Sequence, residues 1–152
     1  MKIINLADAP AYLQTLAAWH HEEWRALNPG QTLEQRMQKM QAHLEGDFIP
    51  STYLAVDGQL LGSAAIVESD MDNRKDLSPW LASVYVDKQY RQQGIGSRLI
   101  RYIVDMAKHK EIKKLYLFTP DQEYFYQRLG WQVLEKTRYR GVEVTILNYS
   151  VE

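Results

Sequence analysis

A short segment with two glycines, Arg91-Gln92-Gln93-Gly94-Ile95-Gly96, constrains the fold of this chain more than any other. It separates an apolar, β-forming stretch that ends near Val86 from a helical pattern that begins near Ile95. Such a turn directs unbonded backbone N–H groups and the positive end of a helix dipole toward one point, which favours a phosphate or pyrophosphate. Gly94 and Gly96 let that group approach the backbone closely. Glycines can also serve only to turn the chain, so the neighbouring sequence has to decide.

The sequence on both sides of this segment predicts a β-α-β-α unit. Residues 80–87 are apolar on both faces, as in a buried central strand, and apolar residues recur at helical spacing from 95 to 107. A second short apolar strand is predicted at 115–118, and a short helix at 124–131 ends at the glycine Gly130. The helix connecting the two strands makes a parallel pair of them.

The remaining sequence adds elements of one domain spanning residues 1–152, long enough to bury a core without disulfides. Thr32 and Gln35 form a capping-box pattern, and Asp57-Gly58 is typical of a hairpin turn. The further predicted elements are strands at 3–6, 53–56, 60–68, 132–139 and 142–149, and helices that follow Asp8 and Thr32.

Composition argues against several classes of function. The net charge of −1 gives no electrostatic reason to expect binding to nucleic acid or to an anionic membrane. The absence of cysteine excludes disulfides, thiolate metal sites and a cysteine acyl-enzyme. No signal-peptide core, apolar run long enough to span a bilayer, or metal-ligand spacing such as His-Glu-x-x-His is present. We therefore expect a cytoplasmic protein without a bound metal.

Two motifs in order carry a resemblance to a known family. Arg91-x-x-Gly94-x-Gly96 follows the predicted central strand, and Tyr126-x-Arg128-x-Gly130-Trp131 follows the next one. In this context the chain resembles the GNAT superfamily of acyl-CoA-dependent N-acyltransferases, most closely over residues 79–131. The resemblance implies an α/β (α+β) fold, in which a mixed, mostly antiparallel central sheet of six to seven strands is flanked by about four helices.

The resemblance also implies the acyl donor and the course of the reaction. Acetyl-CoA would supply an acetyl group, which passes directly to a primary amine without a covalent enzyme intermediate. Backbone N–H groups of the glycine segment would hold the pyrophosphate, while the pantetheine arm would lie along the fourth strand, where one N–H faces the thioester carbonyl. The residues so implicated in binding acetyl-CoA are Val84, Tyr85, Val86, Arg91, Gln92, Gln93, Gly94, Ile95, Gly96 and Ser97.

Tyr126 takes the place of the tyrosine that protonates the departing thiolate in this family. A phenol with a pKa near 10 can donate a proton to a nascent thiolate. Tyr124, two residues away, lies on a different side of the predicted helix and is the rival candidate.

The general base is less defined by the sequence. Many members of the family carry a glutamate in or just before the fourth strand, but this chain has Trp80 near that position. Glu68, at the end of the preceding strand, is the preferred substitute and would act through a water. The alternatives left open are Asp70, Asp72, His20 or water alone.

Five carboxylates, if they gather, would make the acceptor side acidic: Glu22, Glu23, Glu68, Asp70 and Asp72. The expected acceptor is then a small cationic amine, such as a polyamine, an aminoglycoside-like amine or an amino acid derivative, with a lysine side chain as a further option. The resemblance leaves open a homodimer formed through the last strands.

Three other functions compete with a small-molecule acetyltransferase. One is an acetyltransferase for protein or peptide amines, and another is a non-catalytic acyl-CoA-binding sensor or docking module, which would have no use for Tyr126 as an acid. A nucleotide-phosphate binder is disfavoured because the segment lacks both the Gly-Lys-Ser/Thr ending and a Gly-x-Gly-x-x-Gly pattern.

Overall fold

A mixed seven-stranded sheet forms the centre of the computed structural model, which describes residues 1–151. Its order is β1-β2-β3-β4-β5-β7-β6, and all neighbouring pairs except β4 and β5 are antiparallel. The predicted mixed, mostly antiparallel sheet is therefore confirmed. The strands are β1 (Lys2–Asn5), β2 (Ser51–Val56), β3 (Leu60–Val67), β4 (Trp80–Val86), β5 (Lys114–Thr119), β6 (Gln132–Tyr139) and β7 (Val142–Ser150).

Four α-helices flank this sheet, as the sequence predicts: α1 (Leu13–Glu23), α2 (Leu33–Met40), α3 (Ile95–His109) and α4 (Glu123–Arg128). The capping box of α2 is present, because the Thr32 side chain accepts the Gln35 N–H and the Gln35 side chain accepts the Thr32 N–H. The first helix differs from its prediction. The Asn5 side chain caps a 3-10 turn by accepting the Ala7 N–H, so α1 begins only at Leu13.

The two faces of the sheet are covered by different helices. Leu54 packs with residues of α1 and α2, whereas its neighbours Tyr53 and Ala55 pack with residues of α3. Successive side chains of a strand point to opposite faces, so α1 and α2 lie on one side of the sheet and α3 on the other. Within residues 1–151 no helix is long and apolar enough to cross a membrane.

The parallel pair β4–β5 is short. Trp80 lies opposite Tyr116, and this is the single registered pair between the two strands among residues 1–151. Beyond this pair the strands separate, and the edge of β4 that faces β5 has no partner strand. The predicted parallel arrangement is confirmed, and the separation opens the sheet at its centre.

A β-bulge in β4 accompanies this opening. Ser83 and Val84 of β4 lie opposite the single residue Ala64 of β3. Ser83 has a φ of 53°, in the left-handed region that residues other than glycine rarely adopt. A bulge bends and twists its strand, and here the second half of β4 diverges from β5 while Tyr85 and Val86 stay paired with β3.

Candidate functional site

A cleft of about 870 Å³ lies where β4 and β5 separate. One end, the loop end, is formed by the glycine segment, the first turn of α3, and α4. The other, the α1–α2 end, is formed by residues that converge from both helices, from the loop after β3 and from the β6–β7 turn. Residues lining the α1–α2 end are Glu23, Trp24, Leu27, Asn28, Arg36, Lys39, Asp70, Tyr139 and Arg140.

The loop end presents free backbone donors. Gln92 and Gly94 have φ angles of 65° and 80°, so the chain turns sharply before α3 begins. The first backbone N–H of this region with an acceptor is that of Arg98, which bonds to the Gly94 carbonyl. In residues 1–151 the N–H groups of positions 92–97 have no backbone acceptor, and no side chain caps α3. Together with the helix dipole, they form a site suited to a phosphate.

Gly96 leaves space where that phosphate would approach. A methyl group added at Gly96 would lie 3.6 Å from Val86 Cγ2 and 3.8 Å from Phe125 Cζ, which are ordinary contacts. The fold itself therefore does not require glycine at this position. The small residue leaves the backbone open to a ligand from the cleft.

Arg91 joins the loop to the end of β4. Its Nε donates to the Val86 carbonyl at 2.9 Å, and its guanidinium lies 5.4 Å from the centre of the Tyr85 ring. These contacts hold the glycine segment against the strand that would carry the pantetheine arm. The structure brings the residues predicted to bind acetyl-CoA to the cleft with the exception of Gln93, which is exposed and does not line it.

Tyr126 lies in the wall of the cleft. Its side chain is 9% exposed and packs against Phe125 and Trp131. Burial, and secondarily the charge of Asp121, raises the pKa of the Tyr126 hydroxyl. The rival Tyr124 is 78% exposed and does not line the cleft. The geometry therefore favours Tyr126 of the two.

The carboxylates after β3 have very different surroundings. Glu68, the predicted base, is exposed and does not line the cleft, because the chain turns outward once β3 ends at Val67. Asp72 is drawn away by an ion pair with Arg140 at 2.9 Å. Asp70 is half-buried and lines the cleft. Of the carboxylates that the sequence offers as the base, the geometry therefore favours Asp70 over Glu68.

Asp70 has the titration behaviour that a base requires. Burial raises the pKa of its carboxyl to about 6, while the positive charges of Lys39, Arg36 and Arg140 oppose this rise. A carboxylate with such a pKa is ionised at neutral pH and accepts a proton more readily than an ordinary aspartate.

His20 is not free to act as a base. Its Nδ1 lies 3.0 Å from Arg36 Nη2, and since arginine has no acceptor, Nδ1 accepts this hydrogen bond. The Nε2–H then donates to Ser63 Oγ at 3.0 Å. Burial, followed by the charges of Arg36 and His43, lowers the pKa of His20 well below its usual value. His20 is a neutral, packed residue that positions Arg36.

The five carboxylates expected to make the acceptor side acidic do not gather there. Glu22 pairs with Arg25 on the surface, and only Glu23 and Asp70 line the cleft. Three cations missed in the sequence line the same end: Arg36, Lys39 and Arg140. The spacing of Arg36 and Lys39 on α2 indicates a shared helix face, but nothing local shows that this face meets a cleft.

Comparisons with known proteins agree with this geometry. Residues 50–133 match the acetyltransferase (GNAT) domain model. The chain is 30% identical over 84 residues to N-alpha-acetyltransferase 30 of Schizosaccharomyces pombe, covering 53% of this chain and 56% of that protein. It is 28% identical over 101 residues to a probable spermine N(1)-acetyltransferase of Bacillus subtilis subsp. natto, covering 61% and 66%. The chain thus matches less than two thirds of either relative's length.

Solved structures show the same fold at low sequence identity. An aminoglycoside 6'-N-acetyltransferase complexed with coenzyme A superposes with a TM-score of 0.79 at 14% identity, covering 100% of this chain and 98% of that one. An acetyltransferase of the GNAT family from Staphylococcus aureus Mu50 gives 0.74 at 18% identity, covering 99% of both chains. These matches confirm the predicted fold class.

Proposed function

We infer, since this chain belongs to the acetyltransferase (GNAT) family, that it transfers an acetyl group from acetyl-CoA directly to a primary amine. One observation carries the inference: one cleft is lined both by the start of α3, where the backbone N–H groups have no backbone acceptor, and by Tyr126, whose ring is buried while its hydroxyl remains accessible. Structurally similar acetyltransferases that bind coenzyme A or acetyl-CoA support the choice of acyl donor.

The proposed binding mode uses two stretches of backbone without partners, the start of α3 and the open edge of β4. The N–H groups at the start of α3 would bind the diphosphate of acetyl-CoA, and the open edge of β4 would pair with the amide groups of the pantetheine arm. Backbone N–H groups at 84–86 would then lie beside the thioester. A fixed N–H aimed at the oxygen that gains charge in the transition state contributes about 2–4 kcal/mol.

Two side chains would move the protons. The acceptor enters as an ammonium and loses a proton to Asp70, after which the nitrogen lone pair attacks the thioester carbonyl carbon. As the C–S bond breaks, sulfur takes the proton of the Tyr126 hydroxyl. The nitrogen gives up its second proton on becoming an amide, which restores the Tyr126 hydroxyl from the phenolate, and Asp70 releases its own proton to solvent. The raised pKa of Tyr126 keeps that hydroxyl protonated across the physiological range, so the proton is present when charge develops on sulfur.

The chemical identity of the acceptor amine follows less directly from the site. The names of the relatives support either a small polyamine-like or aminoglycoside-like amine or the N-terminal amine of a protein. The competing function is a non-catalytic acyl-CoA-binding module. Asp70 and Tyr126 lining the same cleft favour an enzyme, because binding alone requires neither a base nor an acid.

A thiol-release assay tests the proposed function. Acetyl-CoA mixed with the protein and a panel of amines should release free coenzyme A, because breaking the C–S bond produces one thiol for each acetyl group transferred. The panel should include polyamines, aminoglycosides, amino acids and peptides with free N-termini. Binding of acetyl-CoA without thiol release for any amine would instead identify a binding module.

The glycine segment makes a separate prediction about acyl-donor binding. Gly96→Val should weaken acetyl-CoA binding by about tenfold or more, because a branched side chain occupies the space of the diphosphate. Gly96→Ala provides the matched control for folding, since its methyl group makes only ordinary contacts with Val86 and Phe125. Calorimetry checks both variants, and near-normal affinity in Gly96→Val would reject the assignment of the loop.

A further inference from the structure

We propose that the acceptor carries a carboxylate as well as its reacting amine, and that Arg36 and Lys39 bind this carboxylate at the α1–α2 end of the cleft. The proposal depends on the acetyl-transfer function above and names its substrate class. Among the acceptors that the sequence suggests, it favours an amino acid derivative over a polyamine.

The position of Arg36 is fixed by the folded protein. The residue lies on α2, and its Nη2 reaches His20 Nδ1 at 3.0 Å and Ser83 Oγ at 3.3 Å. His20 belongs to α1 and Ser83 to the bulge of β4, so three separate elements hold the guanidinium beside the centre of the cleft. A cation held this rigidly is organised before a ligand arrives, which reduces the entropy cost of binding.

Arg36 lacks a full set of partners. Its Nε makes no hydrogen bond among the described residues but is buried, so a ligand in the cleft would meet Nη1, which also has no partner among them and is not buried. Its two hydrogen bonds from Nη2 go to neutral groups, and within residues 1–151 no carboxylate forms an ion pair with it. Burial lowers the pKa of Arg36, and the negative charge of Asp70 opposes this change. A largely buried guanidinium without a directly bonded carboxylate is costly, and an anionic ligand group would reduce that cost.

Lys39 supplies a second cation at the same end. It lies three residues after Arg36 on α2, which places both side chains on one helix face. Lys39 is exposed, lines the cleft and has no ion pair among the described residues. Arg140, the third cation there, is already paired with Asp72. The unpaired positive charge is therefore concentrated on α2.

The charges at this end match a molecule with both signs. Asp70 and Glu23 attract the ammonium group, which Asp70 deprotonates, while Arg36 and Lys39 attract a carboxylate. A polyamine would instead place further positive charges against these two cations, which costs binding energy. The shared chemistry is a primary amine and a carboxylate in one molecule, found both in free amino acids and in peptides that begin with an acidic residue.

Matched acceptors test this proposal by the thiol-release assay. One pair is aspartate and its diamide, and the other is two peptide amides, Asp-Ala-Ala and Asn-Ala-Ala, with spermine as the cationic reference. We expect kcat/KM to be at least about tenfold higher for the carboxylate member of one pair, as a charge-assisted hydrogen bond implies. The pair that shows the preference distinguishes a free amino acid from a peptide.

Two variants on α2 test whether Arg36 and Lys39 cause the preference for the carboxylate acceptor. Lys39→Gln and Arg36→Lys should each lower the ratio of kcat/KM between the carboxylate and its amide by at least about threefold, since each weakens a charged contact. A merely structural defect would lower both values and leave the ratio unchanged. Lys108→Gln, at the far end of α3, removes an exposed charge outside the cleft and should not alter the ratio.

The outcomes separate the two proposals. Thiol release that is faster with spermine than with either carboxylate, or a ratio unaffected by both α2 variants, overturns the carboxylate proposal while leaving acetyl transfer intact. Absence of thiol release with every amine rejects the acetyl-transfer function itself, and the carboxylate proposal falls with it.

Discussion

Replacing Asp70 with asparagine should lower kcat/KM by about 100-fold at neutral pH, because the amide cannot accept the proton of the acceptor ammonium. The pH dependence provides a second signature. With a pKa of about 6, Asp70 is ionised and active above that pH and protonated and inactive below it. The kcat/KM of the unmodified protein should therefore fall as pH drops through about 6. In Asp70→Asn, kcat/KM should no longer show this fall at acidic pH.

Glu68→Gln is the matched control for Asp70. Glu68 lies two residues earlier, is exposed and does not line the cleft, so its neutralisation should leave both kcat/KM and the pH profile unchanged. Acetyl-CoA affinity measured by calorimetry should be retained in Asp70→Asn, which separates a lost base from a damaged fold. Loss of activity in Glu68→Gln with normal activity in Asp70→Asn would restore the base that the sequence favours.

Replacing Tyr126 with phenylalanine should reduce turnover at least about tenfold while leaving acetyl-CoA affinity nearly unchanged. The substitution removes only the hydroxyl and keeps the ring that packs between Phe125 and Trp131. Without that proton, sulfur must leave as an unprotonated thiolate. Steady-state thiol release gives the turnover, and calorimetry gives the affinity.

Tyr124→Phe provides the comparison for this variant. Tyr124 is on the same short helix but 78% exposed, so its hydroxyl should be dispensable. Equal turnover in the unmodified protein and in Tyr126→Phe would remove Tyr126 from its proposed role. Failure of Tyr126→Phe to bind acetyl-CoA would show that the hydroxyl serves binding rather than proton transfer.

The parts of the fold that local sequence determines were predicted well. Gly94 takes the left-handed conformation before α3, and apolar spacing sets the buried face of that helix, so its start at Ile95 follows from the sequence. The capping box of α2 and the hairpin of β2 and β3 are equally local. The apolar stretch around Trp80 predicted a central strand, and both faces of that strand are buried: Leu81 packs with residues of α3, and Trp80 packs with Leu27 and Met71.

Features that depend on distant contacts were not accessible in this way. Glu68 and Asp70 differ by two positions, and only the path of the chain after β3 decides which of them faces the cleft. The bulge at Ser83 has no signal in its residue type. Likewise, the sequence alone gives no sign that Arg36 differs from an ordinary surface cation of α2. Its hydrogen bonds to His20 and to Ser83 of the bulge appear only in the structure.

Binding of acetyl-CoA, measured by isothermal titration calorimetry, tests the central claim most directly. The free N–H groups at the start of α3 should donate hydrogen bonds to the diphosphate, so acetyl-CoA should bind. Pantetheine lacks the diphosphate and should therefore bind at least about tenfold more weakly. Gly96→Val should lose most of that difference. No uptake of acetyl-CoA by folded protein at millimolar concentration, or equal affinity for both ligands, would contradict the account.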